Sequence, residues 1–395
     1  MADEERVARR KLSDLADVTG GVALGREVPA SESVELPYLR VANVQDGYID
    51  TEDVKTVRVL KSEVERFRLR RGDVLLTEGG DFDKLGRGAV WDGRIDPCLY
   101  QNHIFRVRCN PSHLVPEYLS LFMASPEGRS YFLRIAKQTT NLATINSSQL
   151  KAMPVPWPPI AEQRRIVEAI DSVSRSIECI QESITKTRVV RREVARVLMG
   201  GIEWTEKSIG ELATVGSGGT PSRKREDFWN SGVVPWVRTS EINFSEISET
   251  AERITPSAVS ETGLRIFPAG TVLVAMYGEG VTRGRSAILT TEATVNQAAA
   301  AIVCDKNRLE FRYLYYWLES SYQKIRKIGQ GSNQTNLNAS LVSSIRLPVP
   351  SLDEQRRVAS QLGAFDARLA ADASELNKLS QLKSALVGDL LSGPA

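Results

Sequence analysis

The sequence predicts an α+β protein with a pseudo-twofold internal repeat. Two homologous globular units each run into a long helix, and the two helices pair antiparallel as a coiled coil. Three observations predict this: the chain matches itself at a nearly constant offset, two long stretches lack proline, and both stretches carry the same apolar heptad.

The repeat is clearest late in each half. Residues 145–201 slide onto the end of the chain by 192 positions without a gap. Ile145-Asn146 falls on Leu337-Asn338, Pro156 on Pro348, and Glu162-Gln163-Arg164-Arg165 on Glu354-Gln355-Arg356-Arg357. Earlier segments match at slightly different offsets. Leu15-Ala16-Asp17-Val18 resembles Leu212-Ala213-Thr214-Val215, Pro37-Tyr38-Leu39-Arg40 resembles Pro235-Trp236-Val237-Arg238, and Gly86-Arg87-Gly88-Ala89 resembles Gly284-Arg285-Ser286-Ala287. So many pairs in one order exceed chance.

Residues 160–199 and 352–392 read as single helices, each roughly 60 Å long at 1.5 Å per residue. Ser351 with Glu354 is a capping-box signature, and Pro159 suits a first-turn position. Gly200-Gly201 and Gly393-Pro394 are matching stops. The first seam is Ile166, Ile170, Val173, Ile177, Ile180, Ile184, Thr187, Arg191, Val194 and Leu198. The second is Val358, Leu362, Phe365, Leu369, Asp372, Leu376, Leu379, Lys383, Leu386 and Leu390, the same positions 192 residues on. Steps of three and four sustained over four heptads argue for a coiled-coil pair. The first helix leads straight into the second globular unit, so a parallel pair needs a return link about as long as the helix. An antiparallel pair needs none, and it sets similar units at opposite ends.

Within each globular unit, residues 73–77 and 271–275 read as short buried strands, and 116–123 and 311–318 as aromatic-rich helices. The loops between are polar, glycine-rich and basic: 216–225 and 278–285 in the second unit, 20–26 and 78–88 in the first. Residues 137–141 and 324–336 add Gln and Asn. Arg and Lys neutralise phosphates, while Arg, Asn and Gln distinguish bases in the major groove. The candidate DNA-contacting residues are Lys84, Arg87, Gln138 and Asn141 in the first unit. In the second they are Arg223, Lys224, Arg225, Arg283, Arg285, Gln334 and Asn336. A single basic loop is more often solvated surface; recurrence at matching places favours a site.

Composition narrows the function classes. With 42% hydrophobic and 25% charged residues the chain is an ordinary globular protein, and no apolar run approaches the ~20 residues that span a bilayer. The start of the chain is charged, without an apolar leader core. Net charge is only +2, so nucleic-acid binding has to come from local clusters. Four scattered cysteines point to a reduced, cytoplasmic protein without structural zinc.

Catalytic motifs fail one by one. His103 and His113 lack ligand-spaced partners. The glycines at 216–219 and 277–280 open no helix in a βαβ unit, and no phosphate-binding G-x-x-x-x-G-K-[ST] loop exists. Asp96-Pro97-Cys98-Leu99 lacks the second proline and the aromatic of a DNA amino-methyltransferase motif. Asp46 with Asp53 and Lys55 is a nuclease pattern only by force. The chemistry is expected on partner subunits, with no catalytic residue and no metal here.

The segment Pro-Val-Pro-Trp-Pro-Pro-Ile-Ala-Glu-Gln-Arg-Arg-Ile-Val at 154–167, echoed at 348–358, resembles the conserved regions of type I restriction–modification specificity subunits. So do the segment from Ser217-Gly218-Gly219-Thr220-Pro221-Ser222 to Pro235-Trp236-Val237 and the terminal Leu390-Leu391-Ser392-Gly393. The resemblance covers almost the whole chain. It implies target-recognition domains at 1–158 and 201–350 and spacer helices at 159–200 and 351–395. It also implies a bipartite DNA site, two modification (methyltransferase) subunits using S-adenosylmethionine, and restriction/translocase subunits using ATP and magnesium. The first unit has Gly20-Gly21-Val22-Ala23 where the second has the fuller Gly-Gly-Thr-Pro-Ser, which implies different half-sites and an asymmetric target. Two other readings stay open on the residues alone: an orphan methylation or other phage-defence complex without a restriction subunit, and a coiled-coil scaffold that binds only proteins.

Overall fold

The computed structural model describes residues 8–25, 29–80, 85–138, 143–200, 204–278, 281–328 and 336–392. They form two compact units, Met1–Gln181 with Ser374–Ala395 and Glu182–Ala373. The long helices are Ile160–Met199 and Leu352–Ser392, and each contributes one half to each unit.

The two globular parts share one plan. In the first unit a four-stranded antiparallel sheet runs in the order Ala16–Gly20, Ile104–Cys109, Val74–Thr77, Gly88–Val90. In the second the order is Ala213–Ser217, Ala299–Cys304, Val272–Ala275, Ser286–Leu289, with Ser245–Ile247 added parallel at the edge. A three-stranded sheet accompanies each: Lys55–Leu60, Ser33–Leu39 and Leu99–Tyr100 in the first, Glu252–Ile254, Val234–Val237 and Thr294–Val295 in the second.

The central strands Val74–Thr77 and Val272–Ala275 are buried at every position because both faces are covered. Val74 and Leu76 point into a core with Tyr118, Leu119 and Phe122 of the helix Pro116–Ala124, while Leu75 joins Leu39, Trp91 and Tyr100 on the other face. Val272 and Val274 likewise meet Tyr313 and Leu314 of the helix Phe311–Ser320, and Leu273 and Ala275 join Val237 and Val295. Period-two alternation between two buried faces produces the run.

Each unit closes on itself where its long helix begins. Arg9–Lys11 pairs antiparallel with Pro154–Pro156, and Glu206–Ser208 with Arg346–Pro348. Tyr118 donates to the Pro156 carbonyl at 3.2 Å, and Tyr313 to that of Pro348 at 2.8 Å. A glutamine then clasps the first helical turn. Gln163, fully buried, accepts from the Val115 N–H at 2.9 Å and donates to the carbonyls of His113 (3.0 Å) and Pro158 (2.9 Å). Gln355, also fully buried, accepts from the Glu310 N–H at 2.8 Å and donates to Arg308 (3.2 Å) and Pro350 (2.9 Å). Pro159 stands one residue ahead of the first helix rather than in its first turn. Its carbonyl accepts the N–H groups of Glu162 and Gln163. Ser351 accepts the Glu354 N–H at 3.3 Å, as a cap does. Of the stop signals, Gly200 directly succeeds the first helix; Gly201, Gly393 and Pro394 lie outside the described residues.

The helices run antiparallel in both units. In the first, Ile166, Val167 and Ile170 share a core with Leu391, with Leu386 and Leu390 packed against it. In the second, Ala195, Val194 and Leu198 meet Val358, Ala359 and Leu362. The start of each helix therefore lies beside the end of the other. Every seam position predicted above is buried or half-buried, including Val173, Ile177, Ile180, Ile184, Phe365, Leu369, Leu376 and Leu379. Two of the polar seam residues, Arg191 and Asp372, have partners. Arg191 meets Asp366 at 2.6 Å and Glu319 at 2.7 Å, and Asp372 accepts from Ser183 (3.1 Å) and Arg368 (2.8 Å).

Two substitutions test this packing. Gln355→Leu leaves the Glu310 N–H and two carbonyls without their partner, and we expect a loss of about 2–4 kcal/mol. Chemical denaturation monitored by circular dichroism measures it; a loss below about 0.5 kcal/mol would mean that the clasp contributes nothing. Ile170→Asp puts an unpaired charge at a fully buried position and should cost ~3 kcal/mol or more. A parental denaturation midpoint would contradict the packing described for that turn.

Candidate nucleic-acid interface

The basic loop of the second unit is held rigidly. It leaves the strand Ala213–Ser217 through Gly218, where a Cβ would lie 1.7 Å from the Val295 carbonyl oxygen, so no side chain fits. Gly21 does the same in the first unit, its Cβ position 2.0 Å from the Tyr100 carbonyl oxygen. The glycine that the geometry requires is thus present in both units, although Thr-Pro-Ser comes after it only in the second. Beyond Gly218, the Trp236 indole donates to the Gly219 carbonyl at 2.9 Å and the Trp229 indole to that of Ser222 at 3.2 Å. The two rings meet edge to face at 5.1 Å.

The arginines of this loop are already engaged. Arg223 lies 3.6 Å over the Trp229 ring and makes a two-pronged contact with Glu252 at 2.6 and 3.0 Å. Arg225 forks onto Asp227 at 2.8 and 2.6 Å, reaches Glu261 at 3.2 Å, and stacks over Phe228. These hydrogen bonds raise the arginine pKa values and hold the Glu252 and Asp227 carboxyls below their usual range. Lys224 between them is exposed and pairs with no carboxylate among the described residues.

Arg87 and Arg285 stand differently. Each directly precedes the equivalent strand, Gly88–Val90 or Ser286–Leu289, and its carbonyl is bonded by the N–H of Thr77 or Ala275. Their side-chain partners are neutral amides: Arg87 Nη1 donates to Gln45 Oε1 at 3.0 Å, and Arg285 Nη1 to Asn243 Oδ1 at 2.7 Å. Sequence reading missed Gln45 and Asn243. The signal was available, because 45 and 243 are related by the same 198 positions as 87 and 285.

The remaining candidates divide. Arg283 is only 9% exposed and donates to the Arg326 carbonyl, taking the place that buried Leu85 holds in the first unit. Asn336 is exposed just ahead of buried Leu337. Gln138 pairs through its backbone with Ala143. Lys84, Asn141 and Gln334 lie outside the described residues.

The residues weighed for catalysis serve structure. Asp96 holds Arg68 at 2.9 and 2.7 Å, and Cys98 beside it is buried. Asp53 binds Arg40 and Lys55, whereas Asp46 binds Arg129. His103 meets Glu78 at 2.7 Å, while the His113 ring packs against Trp157. Burial pushes the thiols of Cys98, Cys109 and Cys304 up to about 12, so all three stay protonated at neutral pH. Among the described residues no three His, Cys, Asp or Glu side chains converge as metal ligands. A cleft of about 1120 Å³ in the second unit is lined by Arg191, which pairs with Glu319 and Asp366, and by Arg312, which pairs with Glu246. No helix among the described residues is long and apolar enough to cross a membrane.

Known proteins share this arrangement. A putative type I restriction enzyme specificity subunit of Methanocaldococcus jannaschii is 22% identical, over 97% of this chain and 92% of its own. The crystal structure of a type I restriction–modification S subunit from M. genitalium matches with a TM-score of 0.62 at 15% identity, covering 100% of this chain and 99% of that one. The HsdS subunit from Thermoanaerobacter tengcongensis matches with a TM-score of 0.53 at 16% identity, over 98% and 96%. Both structural likenesses lie in the fold. The model of the type I restriction modification DNA specificity domain matches twice, at residues 4–187 and 201–381, and the chain belongs to that family.

Proposed function

We propose that this chain is the DNA-reading subunit of a type I restriction–modification complex. It recognises a bipartite, asymmetric site with one target-recognition domain per half-site, 1–158 and 201–350, and the helical segments 159–200 and 351–395 act as spacers. The observation that carries this reading is the doubled sheet plan, with each copy clasped to a long helix through the same buried glutamine. The recognition surface comprises Arg87, Arg285, Lys224 and Asn336, and this reading also assigns DNA contacts to Lys84, Gln138, Asn141 and Gln334. Arg223 and Arg225 shape that surface more than they charge it, since carboxylates already neutralise them. Arg283 supports it from beneath.

The subunit itself is non-catalytic in this proposal. Methyl transfer from S-adenosylmethionine belongs to two modification subunits, and ATP- and magnesium-dependent translocation and cleavage to restriction subunits. A divergent pair of recognition domains suits an asymmetric target, because each presents different side chains on one scaffold.

Two measurements test the proposal. The full chain alone, supplied with S-adenosylmethionine, ATP and magnesium, should neither methylate nor cut DNA, whereas adding the modification subunits should methylate one bipartite motif. Methyl transfer by the chain alone would overturn the division of labour. Lys224→Ala should reduce the slope of log affinity against log salt by about one, the signature of a lost phosphate contact. Arg223→Ala should change that slope less, because Glu252 already offsets its charge. An unchanged slope for Lys224→Ala would remove this loop from the interface.

A further inference from the structure

We infer that Arg87 and Arg285 each read a guanine, one in each half-site, with Gln45 and Asn243 as the residues that position them. The inference rests on the DNA-reading function proposed above and goes beyond it by assigning a base and a pair of side chains.

Two arginine pairs, each related by the same 198 positions, contrast in their partners. Arg40 faces Asp53 at 2.8 Å, and Arg238 faces Glu241 at 3.9 Å and, at 3.6 Å, the Glu252 it shares with Arg223. Their charge is offset inside the protein. Arg87 and Arg285 face carboxamide oxygens instead, at 3.0 and 2.7 Å, and make no ion pair with any described residue. An amide oxygen orients a guanidinium without cancelling its charge.

The Gln45 amide is itself held, and so is the backbone next to Asn243. Gln45 Nε2 donates to the Ala42 carbonyl at 2.7 Å, which leaves its oxygen for Arg87. Asn243 precedes Phe244, whose φ of 51° is held by its N–H bond to the Ser286 carbonyl at 2.8 Å and by edge-on contact with Tyr322. Each guanidinium is therefore held at Nη1 by an amide oxygen before any ligand arrives.

The donor inventory points the same way. In both arginines Nε is buried without a partner, Nη1 uses one hydrogen on the amide, and Nη2 has no partner among the described residues. Both side chains are half-buried, so only the terminal Nη1–Nη2 edge remains for a ligand. A phosphate is satisfied by any mobile cation. A planar fork with preset orientation and full charge matches the adjacent O6 and N7 acceptors that guanine presents in the major groove. Gln45 is one methylene longer than Asn243, so the two arginines are held by unlike amides at matching places.

The isosteric variants Gln45→Glu and Asn243→Asp place a carboxylate on each arginine and convert it to the Arg40 type. Arg87→Lys and Arg285→Lys keep the charge and remove the fork. The assay selects duplexes from a randomised library with the full chain assembled with its modification subunits. The parent should select a bipartite motif with a guanine in each half. Gln45→Glu and Arg87→Lys should lose about 10- to 100-fold discrimination at one guanine of one half-site and leave the other half intact. Asn243→Asp and Arg285→Lys should do so in the opposite half. Uniform weakening across all sequences, or an unchanged motif in variants with parental thermal stability, would overturn the inference. A parent that selects no motif would instead sink the DNA-reading function.

Discussion

The buried glutamine at the start of each long helix is the constraint on which the rest of the molecule depends. A forty-residue helix joined to a globular unit by ordinary chain would pivot about that joint. Gln163 and Gln355 remove the freedom by bonding one backbone N–H and two carbonyls, from two different segments of the globular unit, to the first helical turn. A carboxamide is suited to the task because it both donates and accepts at one site. The flanking strand pairs, Arg9–Lys11 with Pro154–Pro156 and Glu206–Ser208 with Arg346–Pro348, bring the ends of each globular part to the same place. A buried polar group that is fully satisfied specifies one arrangement and penalises the others.

The seam is governed by the same rule. Apolar heptad positions are permissive about register, since a leucine packs nearly as well one heptad along. Arg191 and Asp372 are not permissive. Arg191 is satisfied by Asp366 and Glu319, and the Tyr316 hydroxyl donates to Asp366 at 2.8 Å. Asp372 is held by Ser183 and Arg368. Any slip would strand these groups in an apolar setting at a cost of several kcal/mol. Polar seam residues are thus register marks rather than defects in the pattern.

Much of this was legible in the sequence because repetition turns one weak signal into two. The heptad, the central strands at 73–77 and 271–275 and the aromatic helices all fall where periodicity put them. The loops were less legible. Residues 216–225 read only as a polar, glycine-rich, basic loop, yet Gly218 is there for a close backbone approach, and two indole N–H groups pin Gly219 and Ser222 just beyond it. Trp229 and Trp236 are remote enough in sequence to give no local sign of the carbonyls they hold. Burial was equally silent: Arg283 looks like Arg285 in the sequence, but one replaces a core leucine and the other is half-buried and bonds an amide through Nη1.

Pairing, rather than the count of positive residues, therefore determines what the surface can do. The formal charge of +2 reflects 51 basic against 49 acidic residues, and many of these cancel within each globular part. Arginines matched to carboxylates (Arg68, Arg108, Arg129, Arg223, Arg225) build the scaffold. For these an incoming anion has to displace an existing partner, and the exchange returns little free energy in water. Arginines matched to amides keep their attraction and gain orientation. A protein of near-zero net charge has little long-range pull on DNA, so its discrimination has to come from such few preset groups. Near neutrality then favours selectivity, because a weak nonspecific background leaves the directional contacts to dominate the difference between one sequence and another.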